Sequence, residues 1–212
     1  KIENLIGSNF DDHLVGNELN NQLTGNAGND ILDGSTGIDT AIYSDSFRDF
    51  TLTKGTDSWA ITTSDESDSL VNIERLQFTN TNVALDLDGN AGKTAKLLGA
   101  ILGAEGVSNK VYVGAGLYFL DGGMTYEELM QVALDVVLGA NPSSSSVVNL
   151  FYSSLVGSAA PADILSEYSE LIDNGSLSAA QLGIAAADHS LNVANIDLIG
   201  LSQTGVEYIP YG

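Results

Sequence analysis

Gly7-Ser8-Asn9-Phe10-Asp11-Asp12-His13-Leu14-Val15, Gly16-Asn17-Glu18-Leu19-Asn20-Asn21-Gln22-Leu23-Thr24, Gly25-Asn26-Ala27-Gly28-Asn29-Asp30-Ile31-Leu32-Asp33 and Gly34-Ser35-Thr36-Gly37-Ile38-Asp39-Thr40-Ala41-Ile42 follow one another without a gap. Each of these nine-residue units opens on glycine. Each carries Asp or Asn at its sixth position (Asp12, Asn21, Asp30, Asp39) and an aliphatic residue at its eighth (Leu14, Leu23, Leu32, Ala41). Glu3 and Leu5 continue both columns upstream. A unit with one aliphatic residue cannot bury a face alone, so the units must stack into a continuous core.

Asn-Gly and Asp-Gly pairs taken singly mark hairpin turns. Four in register with a leucine column instead resemble the nonapeptide repeat of RTX (hemolysin-type) proteins, and that resemblance implies corners that hold calcium. Glycine permits a tight turn with positive φ, which leaves carbonyl oxygens pointing inward. Calcium takes six to eight hard oxygens at flexible geometry, more than one turn supplies, so a second turn must complete the shell. With one turn and one short strand per unit, two units make one coil and corners stack every eighteen residues. Gly7–Asp12 then lies over Gly25–Asp30, and Gly16–Asn21 over Gly34–Asp39. The candidate ligand positions are Gly7, Asn9, Asp12, Gly16, Asn21, Gly25, Ala27, Asp30, Gly34, Thr36 and Asp39. The first pair of corners offers two carboxylates, Asp12 and Asp30, and should bind better than the second, with Asn21 and Asp39. The fourth-position glycine is present as Gly28 and Gly37 but replaced by Phe10 and Leu19 in the first two units.

The register resembles the calcium-binding nonapeptide of RTX (hemolysin-type) proteins. The resemblance implies a short parallel β-roll, calcium as cofactor, and an extracellular or bacterial cell-surface location after type I export.

A formal net charge of −21 with only 7 basic residues excludes electrostatic binding to nucleic acid or anionic lipid and makes cations the natural counter-ions. Without cysteine there is neither a disulfide framework nor a cysteine zinc site. No stretch approaches the roughly twenty apolar residues that span a bilayer, and Lys1-Ile2-Glu3-Asn4 is no apolar signal segment. Repeats already running at Lys1 suggest the carboxyl-terminal piece of something longer.

Phe50–Thr53, Trp59–Thr63 and Leu76–Phe78 alternate as short strands and are expected to cap the open end of the stack. Val71–Arg75 fits either a further coil or an extension of the third strand. Asp86-Leu87-Asp88-Gly89-Asn90 is either a second cation site, with Asp86, Asp88 and Asn90 as ligands, or an acidic turn opening a helix. It lacks the twelfth-position glutamate of an EF-hand loop, where Leu97 stands.

From Lys93 the period turns helical, with helices expected near 93–103, 109–121, 126–138, 143–156, 161–173 and 179–189, the fourth starting at Asn141-Pro142. Leu97–Gly103 matches Phe151–Gly157, Leu120–Leu129 matches Ile172–Leu182, and Asp135 falls on Asp188, an internal duplication. Thr125–Glu128 and Ser178–Gln181 are capping boxes, each preceded by a glycine suited to a left-handed cap, Gly123 or Gly175. The faces Leu129, Val132, Ala133, Val136 and Leu182, Ala185, Ala186 are expected to pack the hairpins together. The overall class is α+β: residues 1–92 a calcium-binding β-roll with capping strands, residues 93–212 a duplicated helical-hairpin domain with an extended tail. Residues 93–200 are similar to the tandem helical domain of unknown function at the carboxyl end of many type I secretion substrates. Of that family's Arg-x-Pro-Asp turn, Ser158–Asp163 keeps the proline and the acid.

No enzyme class stands out. His13 and His189 are the only histidines, one at a variable repeat position and one at a helix end, and neither His-Glu-x-x-His nor Gly-x-Ser-x-Gly occurs. The three prolines follow Asn141, Ala160 and Ile209, so the Asp-Pro bond at which some RTX proteins cleave themselves is missing. The expected function is a calcium-binding module of a secreted bacterial protein, folding on calcium after passing the type I secretion apparatus. The alternative is a cell-envelope anchoring or self-association module of an adhesin or surface layer.

Overall fold

The computed structural model describes residues 4–212, so Glu3 lies outside the described residues. The chain is α+β and divides into two compact units, residues 1–87 with 200–209, and residues 88–199 with 210–212.

In the first unit the aliphatic column dictates the strands. Each nonapeptide contributes three extended residues, β1 Asn4–Ile6, β2 His13–Val15, β3 Gln22–Thr24, β4 Ile31–Asp33 and β5 Thr40–Ile42. Odd and even strands separate into two sheets. In one, β1, β3 and β5 pair in parallel with Leu5 opposite Leu23 and Leu23 opposite Ala41. In the other, β2 pairs with β4 and Leu14 lies opposite Leu32. The register is the eighteen-residue stacking that two units per coil require.

After β5 the chain leaves the stack through a 3-10 turn, Phe47–Asp49, and an antiparallel pair, β6 Thr51–Lys54 and β7 Trp59–Thr62. It then returns as β8 Ser67–Val71 and β9 Arg75–Gln77. These are parallel continuations, with Leu70 opposite Leu32 and Leu76 opposite Ala41. Val71–Arg75 is therefore the corner of a further coil. Beyond β8 and β9 both sheets become antiparallel: β7 and β6 extend one, and β10 Asn82–Ala84 and β11 Val206–Tyr208 extend the other. The parallel stack thus ends on strands whose direction it cannot propagate. Residues 206–208 sit in this sheet, where the sequence had left them as a tail of the helical domain. Leu23, Leu32, Ala41, Leu70, Leu76, Ile61 and Val83 form the buried core, with Leu5 and Leu14 partly buried at its open end. Tyr43, Phe47 and Phe50 gather on Phe78, with ring centroids 4.9 to 5.4 Å apart.

The second unit is helical: α1 Asn90–Leu102, α2 Ala104–Ser108, α3 Lys110–Asp121, α4 Tyr126–Leu138, α5 Ser144–Val156, α6 Ala162–Asp173, α7 Ala179–Asp188 and α8 Ser190–Asn195, with α9 Leu198–Thr204 leading into β11. Both capping boxes form, Thr125 with Glu128 and Ser178 with Gln181. Gly123 and Gly175 take positive φ after α3 and α6. Three expectations need correction. Pro142 is not in the fourth helix, because Ser143 caps α5 by accepting from the Ser146 N–H. Val132 and Val136 of α4 are exposed, and the buried stripe runs through Leu129, Met130 and Leu134. Ala185 is also exposed, while Leu182, Gly183, Ala186 and Ala187 are buried. The stripe is offset because Gly183 admits both Met130 and Phe151 closely: a Cβ there would stand 2.6 Å from the Met130 sulfur and 2.7 Å from Phe151 Cζ.

Candidate metal centre

The corners between the short strands are where backbone and carboxylates converge. Each corner is tied to the next in its column by its first and last amides. The Gly7 and Gly16 N–H groups donate to the carbonyls of Thr24 and Asp33 at 2.9 and 2.7 Å. The sixth-position acid of one corner then receives the sixth-position amide of the corner before it. The Asp12 N–H donates to Asp30 Oδ1 at 2.8 Å, and the Asn21 N–H to Asp39 Oδ1 at 2.6 Å. Glycine at the first position is a requirement of space. A Cβ on Gly7 would lie 2.7 Å from the Gly25 carbonyl oxygen, one on Gly16 2.5 Å from that of Gly34, and one on Gly25 2.0 Å from Asp30 Oδ2.

The four corners differ in what their acids do with the remaining oxygen. In the first, Asp12 Oδ2 accepts from the Ser8 N–H and hydroxyl at 2.5 and 2.9 Å. In the second, Asn21 Oδ1 accepts from the Asn17 N–H at 2.7 Å. These side chains close their own turns. In the third and fourth corners, Asp30 Oδ2 and Asp39 Oδ2 are buried with no hydrogen-bond partner, in residues 1% and 0% exposed. A buried carboxylate oxygen without a donor is costly unless a cation meets it. Burial is the main reason both carboxyls are raised above the ordinary 3.8, with Asp12, Asp11 and Glu66 adding repulsion at Asp30 and Asp33 adding it at Asp39.

The backbone differs in parallel. In the third and fourth corners positive φ falls on Asn26 and Gly28 and on Ser35 and Gly37, whereas Phe10 and Leu19 are not among the residues with positive φ. The replaced glycines therefore mark corners folded differently. The remaining predicted positions, Asn9, Ala27 and Thr36, lie in the bends of their corners.

Among the described residues no three His, Cys, Asp or Glu side chains converge as a metal cluster. An ion at these corners would be held by one or two carboxylates and by carbonyl oxygens, the hard-oxygen shell that calcium takes. The residues present fit calcium in this sense.

The model of the RTX calcium-binding nonapeptide repeat matches residues 6–41 in four copies. Residues 6–41 are RTX repeats. Such repeats bind calcium and are structural rather than catalytic. No curated protein matches the chain. Among solved structures, the extracellular lipase LipA from Serratia marcescens aligns over 42% of this chain and 18% of its own, at 14% identity and a TM-score of 0.26. This likeness is too slight to bear on function.

The RTX repeats do not exhaust the acid columns. Asp68 Oδ1 accepts from the Asp30 N–H at 3.0 Å, and Glu74 Oε2 from the Asp39 N–H at 2.8 Å. Sequence reading missed both because their corners lack the glycines. The signal was the acid two residues ahead of a core leucine, Asp68-Ser69-Leu70 and Glu74-Arg75-Leu76, as in Asp30-Ile31-Leu32. The loop at 86–90 is a turn entering α1, whose cap is Gly89. Asp86 is ion-paired with Arg75, Asp88 is exposed, and the Asn90 amide donates to Asp121 at 2.9 Å. His13 is exposed, and His189 caps α8 through Nδ1.

Proposed function

We propose that this chain is a calcium-responsive structural module of a secreted bacterial protein, its RTX corners stacking as a parallel β-roll that orders when calcium binds. The observation that carries this reading is the pair of buried, partnerless oxygens, Asp30 Oδ2 and Asp39 Oδ2, at glycine corners where carbonyl oxygens crowd. Without an ion these acids are desolvated and repel their neighbours, which weakens the stack. Ligation reverses both effects, so binding free energy becomes folding free energy. In a protein carrying −21, low calcium would keep this segment loose enough for a type I secretion apparatus. Millimolar calcium outside the cell would fold it and give export a direction. The ligands proposed are the Asp30 and Asp39 carboxylates, with Asp12 and Asn21 and the carbonyls of the turns at Gly7, Asn9, Gly16, Gly25, Ala27, Gly34 and Thr36. No catalytic role is assigned to the chain.

Calcium titrated into the chelated protein, followed by far-UV circular dichroism and native mass spectrometry, tests the reading. Bound ions with a gain of β signal are expected. A chain fully structured in strong chelator that takes up no calcium would overturn it.

A further inference from the structure

The coil made by β8 and β9 is built differently from the four nonapeptides and ends the two columns of corners in different ways. Asp33 and Ile42, the ends of β4 and β5, are nine residues apart, whereas their partners Val71 and Gln77 are six apart. The corner between β8 and β9 is therefore three residues shorter than the one it stacks on. It still makes the same connections. The Gly34 N–H donates to the Val71 carbonyl at 3.0 Å, as Gly16 does to Asp33. Asn72, at φ 49, turns its carbonyl over Gly34, and a Cβ on Gly34 would be 2.2 Å from that oxygen. Gly25 and Gly34 place their own carbonyls over Gly7 and Gly16 in the same way. Glu74 then performs the sixth-position duty towards the Asp39 N–H. Its extra methylene spans the distance that the missing residues leave.

In the other column Asp68 holds the equivalent place, but its second oxygen accepts the Tyr43 hydroxyl at 3.0 Å. A side-chain donor occupies the position on Asp68 that a cation would take, so Asp68 adds no ligand beyond the repeat corners. In both columns the corner below holds a buried oxygen without a partner, Asp30 Oδ2 under Asp68 and Asp39 Oδ2 under Glu74, and the columns differ in the Tyr43 donor on Asp68. Arg75, the nearest cation in sequence, donates both to Asp86 and, at 2.8 Å, to the Glu74 backbone carbonyl.

We propose that Asn72–Glu74 completes a further calcium site on the Gly34–Asp39 corner, outside the four RTX repeats. Its ligands are the Asn72 carbonyl, the Glu74 carboxylate and Asp39 Oδ2. The shortened corner supplies fewer carbonyls than a nonapeptide, so water fills the rest of the shell and this site is the weakest to load. The inference rests on the calcium-binding reading above.

Native mass spectrometry of the full chain at saturating calcium separates the two. Glu74→Gln keeps an oxygen to accept the Asp39 N–H and removes the charge. It is expected to bind one ion fewer than the unsubstituted chain, while Asp68→Asn binds the same number. An unchanged count and affinity in Glu74→Gln, or loss of an ion from Asp68→Asn instead, overturns this site and leaves the general reading standing. An unsubstituted chain that binds no calcium overturns both. Should Glu74→Gln fail to fold, diffraction from the unsubstituted chain grown with terbium decides. An anomalous peak bridging Asp39 and Asn72 supports the site, and peaks confined to the repeat corners overturn it.

Discussion

Asp30 gives one carboxylate oxygen to the Asp12 N–H at 2.8 Å and keeps the other buried without a donor. The first oxygen locks one corner to the next, and the second is available to an ion. Asn21 differs, because its side-chain oxygen already accepts from Asn17 within its own corner. Asp30→Ala should therefore lower calcium affinity by about tenfold or more, about 1.4 kcal/mol, and Asn21→Ala by less. Isothermal titration of the two variants checks this, and equal losses would contradict the division of labour between the corners.

The raised carboxyls set opposite pH responses for the metal-free and calcium-bound forms. Asp30, Asp39 and Asp68 are raised above 3.8 and Glu74 above 4.5, each chiefly by burial. A group whose folded pKa exceeds its unfolded value contributes stability that is fully present below the unfolded pKa. That stability is lost as pH rises through the folded pKa. In chelator, the denaturant midpoint should therefore rise as the solution is acidified from neutrality towards the unfolded carboxyl range. With calcium present the trend should reverse, because ligation needs deprotonated carboxylates and protons compete for them. Midpoints rising in parallel on acidification under both conditions would count against the corner acids as ligands.

Much of this fold is visible in the sequence where one residue type does one job. The glycine and leucine periods foretell the strands and their eighteen-residue stacking. The boxes at Thr125 and Ser178 foretell two helix starts. Legibility fails where a longer side chain substitutes for a turn, as Glu74 does for a six-residue corner, because no glycine marks the place. It also fails for β11, whose partner β10 lies more than a hundred residues earlier. The helical face was misplaced because alternating Val132 and Val136 fit a helical period, yet the close approach at Gly183 rotates the buried side towards Met130. In the candidate site the sequence pointed to the acids, but only the geometry separates Asp12, which closes its own turn, from Asp30, which does not.

The capping box at α4 offers a probe away from the calcium corners. The Thr125 N–H and hydroxyl both donate to Glu128 at 2.8 and 2.7 Å, and these bonds lower the Glu128 pKa from 4.5. Thr125→Ala removes one side of the box and should cost about 1 kcal/mol of stability, read from chemical denaturation monitored at helical wavelengths. Calcium stoichiometry should not change. A variant that loses both helix and bound calcium would show that the corners depend on this cap.

Phe10 and Gly28 occupy the same place in their units, one coil apart, under different constraints. Gly28 adopts φ 127, and a Cβ there would sit 2.6 Å from the Phe10 backbone carbon and 2.8 Å from its carbonyl oxygen. The obstacle is main chain and cannot swing aside. Phe10 is 78% exposed and is not among the residues with positive φ. Gly28→Ala should accordingly destabilise the calcium-loaded chain by about 1–3 kcal/mol through backbone strain, with a further loss from the displaced corner. Phe10→Ala, at an exposed position, should change stability by no more than about 0.5 kcal/mol. Thermal unfolding of both variants in calcium compares them directly. A tolerated Gly28→Ala would mean that the third corner does not stack on the first as the structure shows, and the ligand pairing built on that stacking would fall with it.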